Sequence, residues 1–354
     1  MDTSALDAKP QTSAEWQEFY QRLEGKSTAA LWEVLAEIVP REPRPACLPA
    51  IWRYNEVRPL LMEAGRRITA KEAERRVLIL ENPGTRGMSR ITQTVYAGLQ
   101  LVLPGETAPT HRHVASALRF VIESEGGYTA VDGERTTMRP GDFILTPSWT
   151  YHDHGNPGET PVIWLDGLDI PIVNFFETSF AEHHPEETQP VTRSEGDSLV
   201  RFGAGLQPLE YQSPRMSSPL FTYPYSRSRE TLDRLYRNGP VHECHGVKVQ
   251  FTNPATGGYP LPTIGAFLQL FPPGFRGAPY RSTDATVYCV VEGTGRSHVG
   301  KETFAWREHD VFVVPSWYPV SHEAEGESVL FSFSDRPAQK ALGLWREQVP
   351  AGGA

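Results

Sequence analysis

Residues 147–156 read Pro147-Ser-Trp-Thr-Tyr-His-Asp-His-Gly-Asn156, and residues 315–322 read Pro315-Ser-Trp-Tyr-Pro-Val-Ser-His322. The shared Pro-Ser-Trp lead and the common histidine, His154 and His322, make these two versions of one segment. The match continues outward from there. The first copy runs Leu103-Pro-Gly105, His111-Arg-His113, Val121-Ile-Glu123, Gly126, Gly141-Asp142 and Pro147-Ser-Trp149. The second runs Pro272-Pro-Gly274, Tyr280-Arg-Ser282, Val290-Val-Glu292, Gly295, His309-Asp310 and Pro315-Ser-Trp317. The separation is 169 residues from Gly105 to Gly274 and 168 from Pro147 to Pro315. So constant an offset marks one architecture present twice. The intervening runs, such as 95–103, 117–122, 128–131 and 142–145, are short, apolar or alternating, and punctuated by Gly, Pro and Asp. That is the pattern of a sandwich or barrel. The expected fold is therefore mainly β, two tandem antiparallel double-stranded barrels.

The flanks read differently. Over 13–40 the spacing predicts helix, with Ser13 as cap, Trp16, Phe19, Tyr20 and Leu23 on one face, and Leu31, Trp32, Leu35 and Ile38 repeating the pattern up to Pro40. Residues 41–75 are mixed and Pro-rich. A helix is expected around 229–237 and another, closing the chain, over 337–348. The domain reading is a helical and irregular segment at 1–85, a first barrel at 86–185, a linker with a helix at 186–260, a second barrel at 261–336 and a C-terminal helix and tail at 337–354.

Composition narrows the function. The 34 Lys and Arg stand against 43 Asp and Glu, a net charge of -9, with no clustered positive surface for nucleic acid. Cys47, Cys244 and Cys289 form no disulfide framework, the N-terminus lacks a secretory pattern, and no apolar run is long enough for a membrane span. A cytoplasmic protein is expected. Phosphate loops and the Gly-x-Gly-x-x-Gly fingerprint are missing.

The first copy carries the chemistry. Gly105 is followed by five residues and then His111-x-His113, a pair at i and i+2 that shares one face of a strand. His152 supplies a third imidazole and Asn156 follows it at the spacing His-x3-Asn. This order resembles the two-part signature of the cupin superfamily, with Trp149 where a glycine is usual. Where many cupins add a glutamate ligand, this chain has Ala117 and Leu118, which leaves three neutral ligands and a metal with its charge undiminished. Such a site suits a chelating anion, with a position left for dioxygen. In the second copy Tyr280, Ser282 and Val320 replace all three histidines, so no metal of this kind is expected there. His322 survives opposite His154, and this argues that His154 is not a ligand. The cluster His242-Glu243-Cys244-His245 has ligand types without a matching second pair, and His183-His184 is expected to be exposed.

Over about 30–340 the chain resembles the bicupin gentisate 1,2-dioxygenases, with the related salicylate and 1-hydroxy-2-naphthoate dioxygenases. The stretches that carry it include Arg75 to Gly84, Tyr96 to Gln100, Arg119 to Glu123, Trp164 to Pro171 and Asn253 to Gly258. The resemblance implies two tandem double-stranded β-helix (jelly-roll) barrels with an N-terminal helical segment, Fe(II) held by His111, His113 and His152, and a homotetramer. It implies an aromatic 2-hydroxy-carboxylate and O2 as substrates, gentisate opening to maleylpyruvate between the carboxyl-bearing and hydroxyl-bearing carbons. It also implies Arg119 as the carboxylate site, with Arg75 as a second candidate beside Arg76, and His154 as a proton-relaying neighbour of the substrate. Asp166, or else Asp169, would orient a hydroxyl, and Gln100 and Tyr96 would line the pocket. Salicylate or 1-hydroxy-2-naphthoate cleavage and a non-catalytic ligand-binding cupin stand as rival readings.

Overall fold

The computed structural model describes residues 13–349, which fall into two compact units divided between Arg44 and Pro45. The first unit is a pair of helices, Ala14–Glu24 and Leu31–Ile38. The sequence reading had one continuous helical stretch over 13–40. The chain instead leaves the helix at Gly25 and passes through Ser27 in the left-handed region, φ 53°. Ser13 caps the first helix by accepting from the Trp16 amide at 3.4 Å. Trp16 meets Trp32 of the second helix with ring centroids 6.4 Å apart.

In the second unit each copy of the repeat closes two antiparallel sheets on one interior. The first copy has a six-stranded sheet ordered Thr222–Tyr223, Phe143–Thr146, Ala117–Glu123, Val162–Leu168, Tyr96–Val102, Val77–Ile79. Its five-stranded sheet runs Ala181–His183, Thr107–His113, His152–Gly155, Tyr128–Val131, Glu134–Thr137. In the second copy the six-stranded sheet runs Ala50–Trp52, Val311–Val314, Thr286–Glu292, Ser328–Ser334, Gly265–Phe271, Val247–Gln250, and a four-stranded sheet completes it. Both six-stranded sheets thus take their edge strands from outside the repeats.

Strand alternation explains the packing. Successive side chains point to opposite faces. On Ala117–Glu123, Leu118, Phe120 and Ile122 enter a core shared with Val287, Cys289 and Phe331 of the second copy. Val121 points the other way, among Val102, Met138, Ile144, Val162 and Trp164 inside the first barrel. With both faces buried, such a strand reads as a continuous apolar run. Phe120 stacks on Phe331 at 4.2 Å and 10° between planes. Phe271, Phe275, Tyr288, Trp306, Phe312, Val320 and Leu330 pack together inside the second barrel.

Three sequence expectations change. The Pro-rich stretch at 41–75 contains a 14-residue helix, Tyr54–Arg67, with Pro59 inside. Proline argued against it, but Tyr54, Val57, Leu61 and Met62 dock on the core and outweigh the lost backbone bond. The helix expected at 229–237 extends over Tyr225–Asn238. The closing helix is only Arg336–Ala341; Gly343 turns the chain at φ 72°, and Glu347–Gln348 then pairs with Arg281–Ser282.

Candidate functional site

His111, His113 and His152 converge. Their ring centroids lie 4.6 to 5.2 Å apart, and one nitrogen from each falls within 4.8 Å of the others. Alternation alone would not bring them together. Ala108 pairs with His154 and His111 pairs with His152, so the register slips by one residue between them. Paired residues share a face, and without this bulge Thr110 would oppose His152 and both strand histidines would point outward. The turn after Pro147 adds a further tie. Trp149 sits at φ 58°, and its amide donates to the His113 carbonyl at 2.8 Å. The repeat keeps this turn in detail: Trp317 sits at φ 64° and donates to the Ser282 carbonyl at 2.7 Å. Each ring is covered by a guanidinium, Arg112 over Trp149 at 4.6 Å and Arg281 over Trp317 at 4.5 Å.

The ligand nitrogens are set by their neighbours. Nδ1 of His113 lies 2.7 Å from the Ala115 carbonyl and Nδ1 of His152 lies 3.0 Å from the Thr150 carbonyl. A carbonyl only accepts, so both Nδ1 atoms carry the proton and both Nε2 atoms keep a free lone pair. Burial, reinforced by nearby cations, holds His111 down at about 2, burial holds His113 at about 4, and His152 lies well below its ordinary range. All three are neutral at physiological pH, as a divalent metal requires. These donors fit a metal, and no carboxylate joins the group. Ala117 lines the cavity where a glutamate would have reached in.

A cavity of about 380 Å³ opens over the triad, and Arg75, Arg119, Asp166, Gln100 and Tyr96 also line it. Arg119, six residues after His113, does not share its strand. The chain turns between the strands Thr107–His113 and Ala117–Glu123, and Arg119 enters from the opposite sheet. Its Nε lies 3.8 Å from Asp166, whose carboxylate accepts from Trp164 Nε1 at 2.8 Å. Burial pushes Asp166 up to about 6 against the pull of Arg119. Arg75 donates to the carbonyls of Pro109 at 2.9 Å and His152 at 3.3 Å. Burial and then Arg119 bring Arg75 down to about 9. Arg76 faces away, ion-paired with Glu106. Asp169 is likewise absorbed, accepting from the Ser116 amide at 2.7 Å and the Thr263 hydroxyl. The two open choices of the sequence thus fall to Arg75 and Asp166 as the members that reach the cavity.

His154 is fully buried beside Trp164, ring centroids 5.1 Å apart, and both its ring nitrogens lack a hydrogen-bond partner. It is outside the convergent triad. His242 and His245 stack on each other at 4.8 Å without forming a ligand group among the described residues. His183 and His184 lie in an exposed segment. Sequence reasoning missed Asp153. Its carboxylate accepts from the Thr110 hydroxyl at 3.0 Å and the Gln189 amide at 3.1 Å, tying the two ligand-bearing strands from behind.

Residues 98–168 match the family model for the cupin domain. The chain is 55% identical over 339 residues to gentisate 1,2-dioxygenase 1 of Aquipseudomonas alcaligenes, covering 96% of this chain and 98% of that protein. It is 37% identical to 5-aminosalicylate 1,2-dioxygenase of a Comamonas species, covering 91% and 87%. Among solved structures it resembles salicylate 1,2-dioxygenase of Pseudoaminobacter salicylatoxidans, crystallised with gentisate, at a TM-score of 0.92 and 33% identity over 98% of this chain and 97% of that one.

Proposed function

The chain belongs to the gentisate 1,2-dioxygenase family, and from that premise we propose that it opens gentisate with O2 between the carboxyl-bearing and adjacent hydroxyl-bearing carbons, giving maleylpyruvate. The observation that carries this reading is one cavity holding three neutral imidazoles together with the buried guanidinium of Arg119, the half-buried one of Arg75 and a single carboxylate, Asp166. That charge balance calls for an anionic ligand. His111, His113 and His152 would hold Fe(II). The bound ion supplies Lewis acidity toward the substrate's carboxylate and ortho hydroxyl and one-electron chemistry toward dioxygen.

The remaining work falls to the chain's own side chains. Arg119 presents a planar fork to the substrate carboxylate. Its Nε lacks a hydrogen-bond partner, and Thr146 holds one of its terminal nitrogens. Asp166 orients a ring hydroxyl, and with Trp164 Nε1 fixed on one of its oxygens it keeps the other for that task. Gln100 offers an Nε2 amide without a partner, and Tyr96 walls the ring. His154, neutral, unpartnered and buried beside His152 and Trp164, is assigned the movement of the hydroxyl proton on the family resemblance. Arg75 supplies positive charge at the wall, tethered by backbone carbonyls. A homotetramer in the cytoplasm completes the proposal. It rests on the family resemblance, and the three buried, unpaired cysteines accord with a reducing compartment.

Anaerobic loading with Fe(II), followed by oxygen uptake with gentisate, salicylate and 1-hydroxy-2-naphthoate, tests the reaction. Uptake is expected with gentisate, and silence with all three overturns the proposal. His152→Ala is expected to lose stoichiometric iron by elemental analysis, and Arg119→Met to raise the gentisate KM by one to two orders of magnitude, the loss of a buried charge-assisted pair. Light scattering of the purified protein reads the assembly.

A further inference from the structure

In the first barrel the buried polar atoms without partners include Gln100 Nε2, Arg119 Nε and both nitrogens of His154. All belong to the site just described. The second barrel has such atoms at matching places. Gln269 has neither amide atom partnered, and the Ser332 hydroxyl is likewise alone; both residues are 0% exposed. The sheet registers make the match explicit. Gln100 opposes Val77, and Gln269 opposes Lys248. Asp166 opposes Arg119, and Ser332 opposes Tyr288. Lys248, Gln269, Tyr288 and Ser332 thus occupy the fold positions that Val77, Gln100, Arg119 and Asp166 hold in the first barrel. Directly paired residues share a face, and Tyr288 packs in the second barrel's interior, so all four line one inner wall.

The charge there is unbalanced. Arg336 is neutralised by Asp284 at 3.1 Å, and Asp284 also accepts from Ser334 at 2.7 Å and Trp345 Nε1 at 2.9 Å. Lys248 has no carboxylate within ion-pair distance among the described residues. Its ammonium lies 5.0 Å from the Phe267 ring centre and 6.0 Å from that of Tyr288, and Arg336 covers Phe267 at 5.1 Å. Lys248 is only partly exposed, and Gln269 and Ser332 are fully buried beside it. A buried amide and hydroxyl left unpaired destabilise the fold, and an uncompensated cation does so more.

We propose that the second barrel binds a small organic carboxylate, its charge on Lys248 and its oxygens on the Gln269 amide and the Ser332 hydroxyl. Burial, then Arg336, brings the Lys248 ammonium down to about 7, and an anion beside it restores the charged form. Val320 and Ser282 at two of the former ligand positions keep the metal out. The duplicated barrel then retains ligand binding where it gave up metal binding. This site stands apart from the ring-cleaving reaction and survives if that reading fails.

Trifluoroacetate binding to the iron-loaded, full-length protein under argon, followed by ¹⁹F line width, tests the site. Two components are expected. Arg119→Met removes one, Lys248→Met removes the other while leaving kcat with gentisate unchanged, and the double variant binds none. Because Lys248→Met can fail to fold, Gln269→Leu and Ser332→Ala in the Arg119→Met background provide a second reading, each weakening the remaining binding about tenfold, the effect of one lost bond. Acetate should displace the probe at concentrations where chloride does not. The proposal is overturned if Arg119→Met abolishes all binding, if the Gln269 and Ser332 variants bind normally, or if chloride competes as well as acetate.

Discussion

At the scale of single residues, Asp166 shows how the site trades stability for chemistry. An unfolded carboxyl titrates near 3.9, whereas burial raises Asp166 to about 6. Between about pH 4 and pH 6 the folded protein therefore holds a proton that the unfolded chain has lost. The ionised group weakens the fold above pH 6 and ceases to do so below pH 4. The penalty at neutral pH is on the order of 3 kcal/mol. Asp166→Asn keeps an oxygen for Trp164 Nε1 and removes the charge. The metal-free variant should melt several degrees above the parent at pH 7.5, with the advantage fading toward pH 4, while its kcat falls. Equal melting temperatures at pH 7.5 would contradict this account. The residue types of the site were legible in the sequence because metal binding demands particular donors at particular spacings. The choices between Arg75 and Arg76 and between Asp166 and Asp169 were not. Glu106 claims Arg76, and Ser116 with Thr263 claims Asp169, and all three are distant in the chain from the residues they hold.

At the scale of elements, the bulge between Ala108 and His111 decides the site, since it turns both strand histidines inward. No composition marks it, because a bulge is a property of two paired strands. The strand Val162–Leu168 shows the opposite case, where one residue records its own surroundings. Asp166 faces the cavity, and Gly167 faces the other barrel so closely that a Cβ there would stand 2.6 Å from the Phe333 ring. Gly167→Ala should lower stability by about 1–3 kcal/mol in denaturant unfolding, the ordinary cost of overpacking. It should also reduce kcat through Asp166, one residue away. A variant with the parent's midpoint would show that the barrels part easily here. The helix Tyr54–Arg67 was hidden by Pro59, while its four docked apolar side chains obey helical spacing and could have revealed it.

At the scale of the molecule, the two barrels of the second unit share one core. Phe331 meets Phe120 and Phe143 across the boundary, at 4.2 and 5.6 Å between ring centroids. Phe331→Ala should cost about 3–5 kcal/mol, and fluorescence and circular dichroism should report one coincident transition for both barrels. Two separated transitions would mean the barrels are independent. What the sequence determined by itself was the duplicated β architecture, the three imidazoles and the loss of all three from the second copy. These follow from periodicity, a constant offset and donor chemistry, which are local and additive along a chain. Only the tertiary structure decided which face the histidines take, which arginine and which aspartate reach the cavity, and that the second barrel keeps its own buried polar wall. Those outcomes depend on strand register and on pairings between residues far apart in sequence, and without the one-residue slip after Ala108 the same histidines would face the outside of the barrel.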